Sequence, residues 1–248
     1  MTGVQTCALP ISPLRPDADL EAIRGLMVKA DWAAANAAYK LWLKKNKTHS
    51  LHARVMLDHA WAQSMDGQST NVAAAFRAVI KGHPKTEQAH LANMWRAEDG
   101  FNSGRNHLGA EKIYKSISSQ TNAPVALRQR ATRMAGRAAM ARQGFGEARK
   151  EFTRLINDQY TPAPMKSEAH FALGDLTMLE LGAAGLNAAT NSFYNVVQAS
   201  PTNAVAARAW GRIGDACLSV SAKLPGRRED ARLAYQEAIR IPGPVPVA

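Results

Sequence analysis

Apolar residues recur at i, i+4 and i+7 six times along the chain, with polar residues between them. The six stretches are Ala35-x3-Tyr39-x2-Trp42, Val72-x3-Phe76-x2-Val79, Ala110-x3-Tyr114-x2-Ile117, Ala148-x3-Phe152-x2-Leu155, Ala189-x3-Phe193-x2-Val196 and Ala231-x3-Tyr235-x2-Ala238. Residues at this spacing share one helix face, so each stretch predicts a helix buried on one side. The small residue lets a neighbouring helix approach, and the aromatic one turn on fills the space beside it. Successive aromatics lie 37, 38, 38, 41 and 42 residues apart. Such a period belongs to stacked helix-pair repeats. Pro84, Pro124, Pro162, Pro201 and Pro242 follow the last five aromatics closely and close each unit, because proline cannot continue a helix interior.

A second helical stretch precedes each of the last three stripes. It reads Thr132-x2-Ala135-Gly136-x2-Ala139, His170-x2-Leu173-Gly174-x2-Thr177 and Trp210-x2-Ile213-Gly214-x2-Cys217. With the following small-x3-aromatic pair and the closing proline, this pattern resembles the tetratricopeptide repeat, W-x2-L-G-x2-Y followed by A-x3-F. The spacing from Gly136 to Ala148 is 12, as in that family; from Gly174 to Ala189 it is 15, and from Gly214 to Ala231 it is 17. The excess falls in turns holding Gly182, Gly185 and Asn187, and Leu224-Pro225-Gly226. Units one to three depart from the pattern: Ile23 stands where the glycine belongs, and insertions at 65–71 and 100–105 blur the next two.

The resemblance implies an all-α fold, a right-handed α–α superhelix of about six helix pairs. The expected units are 16–49, 50–85, 86–122, 123–162, 163–201 and 202–242, within one solenoid running from 13 to 248. Other helix-pair solenoids share the period, but the order small-then-aromatic favours the tetratricopeptide reading.

Composition agrees. Alanine occupies 46 of 248 positions and aromatics only 6%, which favours close-packed helices over a β-sandwich or a disulfide scaffold. No run of about 18 apolar residues is present to span a membrane. Residues 1–12 are a separate matter. They lack helical periodicity, charge and an apolar core, and resemble a translated sequencing-library adapter rather than a signal peptide. Setting them aside removes Cys7 and leaves Cys217 alone, at the family's tyrosine position, as a small core residue. Pro244 to Ala248 repeats the pattern that opens unit four, so a seventh unit is expected to start at 243–248. The chain reads as a piece of a bacterial protein of metagenomic origin, and neither cytoplasm nor periplasm is selected.

The sequence contains no phosphate-binding loop, nucleophile elbow or zinc-protease motif. Gly144-Phe145-Gly146 falls where an inter-helix turn belongs, and Asn46-Lys47-Thr48 where a helix ends. His49, His52 and His59 share a helical spacing but lack the tight cysteine or carboxylate partners that zinc prefers. No catalytic, cofactor-binding or metal-binding residue is therefore assigned.

Charge carries more. Lysine and arginine number 31 against 20 acidic residues, a net +11. Between 128 and 154, eight basic residues face two acidic ones. Arg130, Arg133 and Arg137 stand at i, i+3 and i+7 on one stripe of the first helix of unit four. First helices line the concave groove in the proteins this chain resembles, and that groove grips peptides. A guanidinium fork binds a carboxylate bidentately, through two parallel hydrogen bonds. The expected function is a noncatalytic scaffold binding a protein or peptide partner. Arg130, Arg133 and Arg137 would hold an acidic segment or a terminal carboxylate, and Met140 and Met178 would add adaptable apolar contacts. Two alternatives remain: a basic nucleic-acid-binding repeat, and the docking arm of a larger envelope-assembly protein or enzyme. The first is weakened because few aromatics stand near the arginines for stacking, Phe145 and the core residue Phe152 alone, and because no readout pair recurs. Arg227-Arg228 is expected in a solvated loop. The sequence assigns no oligomeric state.

Overall fold

The computed structural model describes residues 16–67, 71–199, 201–202 and 204–241. The leader at 1–12 with Cys7, Pro242 and the expected seventh unit at 243–248 lie outside the described residues. Among the described residues the chain is all helical, with twelve α-helices, one 3-10 turn and no strand. These are α1 (Pro16–Val28), α2 (Trp32–Lys45), α3 (His52–Met65), α4 (Val72–Gly82), α5 (Glu87–Asn102), α6 (His107–Ser118), α7 (Val125–Ala141), α8 (Phe145–Asn157), α9 (Ala163–Leu181), α10 (Leu186–Ala199), α11 (Ala204–Val220) and α12 (Arg227–Arg240). The 3-10 turn Gly182–Gly185 joins α9 to α10.

The chain divides into two compact units, one ending at Arg96 and one beginning at Ala97. In the first, α1 packs on α2, α2 on α3 and α3 on α4. Leu20, Ile23, Tyr39, Trp42 and Val55 form one core cluster; Leu57, Phe76, Val79 and Ala92 form another. Phe76 lies stacked against Trp95, with ring centroids 4.1 Å apart. In the second unit each helix from α6 to α12 packs on the next, and α7 also touches α9. This neighbour-on-neighbour pattern is that of a helical-repeat solenoid.

The periodic stripes become the core. Ala35, Ala110, Ala148, Ala189 and Ala231 are buried, as are Tyr39, Phe76, Tyr114, Phe152 and Phe193; Tyr235 is half-buried. In the last three pairs the aromatic lies against the glycine of the preceding helix. A Cβ added at Gly136 would stand 2.7 Å from the Phe152 ring, and one at Gly214 would stand 2.5 Å from Tyr235. Gly174 meets Phe193 more tightly still. The glycine is required for space: the second-helix ring occupies the volume of its missing side chain.

Turn chemistry fixes where helices start. The Asp31 and Asn106 side chains accept from Ala34 N and Gly109 N, capping α2 and α6. Pro124 and Pro162 are the N-caps of α7 and α9, so these prolines open a unit as well as closing one. Gln143 takes a positive φ of 63° and Gly144 caps α8, so Gly144-Phe145-Gly146 turns the chain from α7 into α8. Asn46 is the C-cap of α2. The expected loop at Arg227-Arg228 is corrected: both residues belong to the first turn of α12, and Arg227 pairs with Asp230 at 2.8 Å. An acidic residue three positions on lets an arginine start a helix that the preceding Pro225-Gly226 isolates.

Candidate functional site

The glycine at the centre of each first helix gives a common frame for the surface of α7, α9 and α11. Arg130, Arg133, Arg137 and Met140 stand around Gly136 as Glu168, Phe171, Asp175 and Met178 stand around Gly174. The equivalent residues of α11 are Arg208, Gly211, Asp215 and Leu218. These positions form one strip across neighbouring first helices.

The strip is held by contacts between helices one repeat apart. Arg130 of α7 pairs with Glu98 of α5 at 2.5 Å, and Arg133 pairs with Glu168 of α9 at 2.5 Å. Arg212 of α11 donates to Asp175 of α9, its Nε at 2.9 Å, and reaches Asp215 at 3.3 Å. Two cation–π contacts run alongside. The Arg137 guanidinium lies 5.7 Å from the Phe101 ring of α5, and that of Arg208 lies 5.3 Å from the Phe171 ring of α9. Acidic and basic first helices therefore alternate from α5 to α11. Of the three arginines singled out from sequence, two already meet carboxylates. Among the described residues Arg137 has no carboxylate partner; besides the Phe101 ring it reaches Met134 sulfur, at 3.9 Å.

Past the arginines the strip opens into a cleft of about 510 Å³. Met140 of α7, Met178 and Leu179 of α9, Val220 of α11 and Lys223 line it, with Asp175 and Arg212 at its polar edge. Met140 and Met178 also pack on the two core clusters below, so each serves the core and the cleft together. Leu179 is 64% exposed. Among the described residues Lys223 has no carboxylate within ion-pair distance. The structure thus brings Met140 and Met178 together, and places Arg130, Arg133 and Arg137 on the same strip but outside the cleft lining. Lys223, Arg212 and Leu179 were not singled out from sequence. Leu179 follows Met178 directly and was findable; Lys223 lies in the turn after α11, where no periodic signal operates.

The remaining candidates separate. His49 packs edge-on against Trp42, His52 faces His83 at 3.2 Å, and His59 meets Gln63 at 2.9 Å. Among the described residues no group of three or more histidine, cysteine or acidic side chains is placed to hold a metal ion. Cys217 is buried, and burial, aided by Asp230, pushes its thiol above the usual range. No described helix is long and apolar enough to cross a membrane.

Helix pairs stacked on neighbours, with an aromatic of the second helix seated on a glycine of the first, define a tetratricopeptide-type helical-repeat fold. The crystal structure of PilW, titled a widely conserved type IV pilus biogenesis factor, is similar over 92% of this chain and 100% of its own, with a TM-score of 0.52 and 16% identity. A tetratricopeptide repeat protein from Parabacteroides merdae ATCC 43184 aligns over 91% of this chain and 99% of its own, at a TM-score of 0.36 and 15% identity. No protein-family model and no curated protein sequence matches the chain.

Proposed function

We propose that the chain is a noncatalytic protein-interaction scaffold that binds a peptide segment along the first-helix strip of α7, α9 and α11. The cleft carrying Met140, Met178 and Leu179 beside Lys223 is the observation that supports this reading. Half-buried methionines lining a cleft adapt their shape to varied apolar side chains. An unpaired ammonium at the same place favours a nearby acidic group on the ligand. Arg137 extends that preference one turn up α7. Arg130 and Arg133 contribute only where a ligand carboxylate competes with Glu98 and Glu168. The ligand is therefore a short segment with an apolar anchor flanked by acidic residues.

The nucleic-acid alternative loses support at the same site. Arg130, Arg133, Arg142, Arg149 and Arg154 each have a carboxylate within 4 Å, which spends most of the local charge internally. The docking-arm alternative uses the same strip and the same chemistry.

Selection of a random displayed-peptide library on the full chain tests the proposal. The expected result is enrichment of acidic peptides with one Leu, Met or Phe anchor. Their binding should be lost on Met178→Glu and weakened on Arg137→Glu. Enrichment unchanged by both substitutions, or no enrichment, would overturn it.

A further inference from the structure

A second recess, of about 330 Å³, lies where the start of α7 meets the end of α8. It is separate from the first-helix strip. Arg128 and Thr132 of α7, Arg154 and Leu155 of α8, and Asp158 and Tyr160 just beyond α8 line it. Its size falls in the range of small-ligand pockets, about 300–1,000 Å³.

Two arginines of the cluster stand on its wall, Arg128 without an ion pair and Arg154 with one. Among the described residues no carboxylate lies within ion-pair distance of Arg128, and its Nε is shielded from solvent with no hydrogen-bond partner. A shielded N–H donating to nothing is costly and uncommon. Arg154 donates from Nη2 to Thr132 Oγ1 at 2.7 Å, and its Nη1 stands 3.4 Å from Glu151. That holds the group at the wall of the recess, with the buried Glu151 carboxylate as its one ion-pair partner among the described residues. Asp158 is the one acid on the wall. It already accepts from Gln129 Nε2 at 2.9 Å, Tyr160 N at 3.0 Å and Thr161 Oγ1 at 3.1 Å. The Gln129 and Tyr160 bonds hold its carboxyl below the usual range. No side chain caps the N-terminus of α7 at Pro124, so the positive end of that helix adds to the two guanidinium groups. Val125, 46% exposed, and the Tyr160 ring, 72% exposed, give the recess an apolar side above the buried Leu155.

We infer that this recess binds a phosphomonoester dianion between Arg128 and Arg154, with its organic group against Val125 and Tyr160. Two guanidinium forks borne on different helices are poorly matched by one planar carboxylate. A tetrahedral phosphate offers three oxygens in different directions and meets both. Nothing in this assignment depends on the peptide strip, and either can fail without the other.

The test is titration of the full chain with phenyl phosphate, inorganic phosphate and acetate, followed by calorimetry at a fixed ionic strength of roughly 0.15 M. Phenyl phosphate is expected to bind saturably and more tightly than inorganic phosphate, and acetate not at all. Arg128→Ala removes no intramolecular ion pair, so the fold is kept. It should weaken phenyl phosphate at least about tenfold, the scale of one charge-assisted hydrogen bond. Arg149→Ala removes the same charge from an arginine already paired with Glu180, and should leave binding unchanged. Acetate binding as well as phosphate, equal losses from both substitutions, or no saturation would overturn the inference in favour of general attraction to a basic chain.

Discussion

At the scale of single residues, one atom decides whether a helix glycine is a weakness or a requirement. Gly211 of α11 has nothing within 4 Å of its would-be Cβ. Gly211→Ala should therefore stabilise the protein by about 0.5–1 kcal/mol through helix propensity alone. Gly136 of α7 has the buried Phe152 ring where a Cβ would go. Gly136→Ala gains the same propensity but must displace that ring, and a net loss of about 1–3 kcal/mol is expected. Urea denaturation of the two variants checks both signs together. The glycine–aromatic contact was legible because Gly136, Gly174 and Gly214 sit at a repeated place before a small-x3-aromatic pair. Tyr235 differs in degree: it is less buried than Phe152, and its hydroxyl donates to Asp215 at 2.9 Å. That partner follows Gly214 as Asp175 follows Gly174, but Phe193 has no hydroxyl to meet Asp175, so the bond itself does not recur.

At the scale of helices, the elements were easier to read than their contacts. Six stripes and five prolines mark where helices begin and end, since burial and proline both act locally. Ion pairs between helices join residues about one repeat apart, and unequal turns set which residues meet. The glycine frame aligns α7 with α9, yet the Arg212–Asp175 pair could not be read from it. Arg227 was misread because a proline-glycine turn hides how soon a helix resumes. One pair in particular is worth breaking. Glu111 of α6 is 2% exposed and receives Arg142, from the turn after α7, and Lys115, each at 2.5 Å. Burial alone would raise its pKa, but the hydrogen bonds from Arg142 and Lys115 together hold the carboxyl below its usual range. Arg142→Met leaves a buried carboxylate with one cation and should cost about 2–4 kcal/mol. Glu111→Gln leaves cations that can reach water and should cost about 1 kcal/mol. Equal losses by thermal unfolding would mean that Lys115 alone compensates the buried carboxylate.

At the scale of the molecule, acid should destabilise the first unit. Burial, reinforced by Lys40, pushes His59 of α3 down to about 4 from 6.5. Its folded form thus stays neutral while the unfolded chain takes up a proton. The stability present above pH 6.5 falls as pH drops from 6.5 toward 4 and then levels off. Burial, with His83 beside it, lowers His52 in the same sense. His59→Gln should flatten the fall in urea midpoint over that window, and an unchanged slope would rule His59 out as its source.

The alternation of charge from α5 to α11 limits how such a chain can change by gain or loss of a repeat. Glu168 and Asp175 of α9 stand between Arg133 of α7 and Arg212 of α11. Removing the α9–α10 pair would set one arginine-bearing helix against another, with only Asp215, already held by Arg212 and Tyr235, between them. Removing two adjacent pairs would restore opposite charges across the new junction. In the second unit the repeats are thus not interchangeable beads: length can change by twos more readily than by ones, and the order of helices is written in charge as well as in shape.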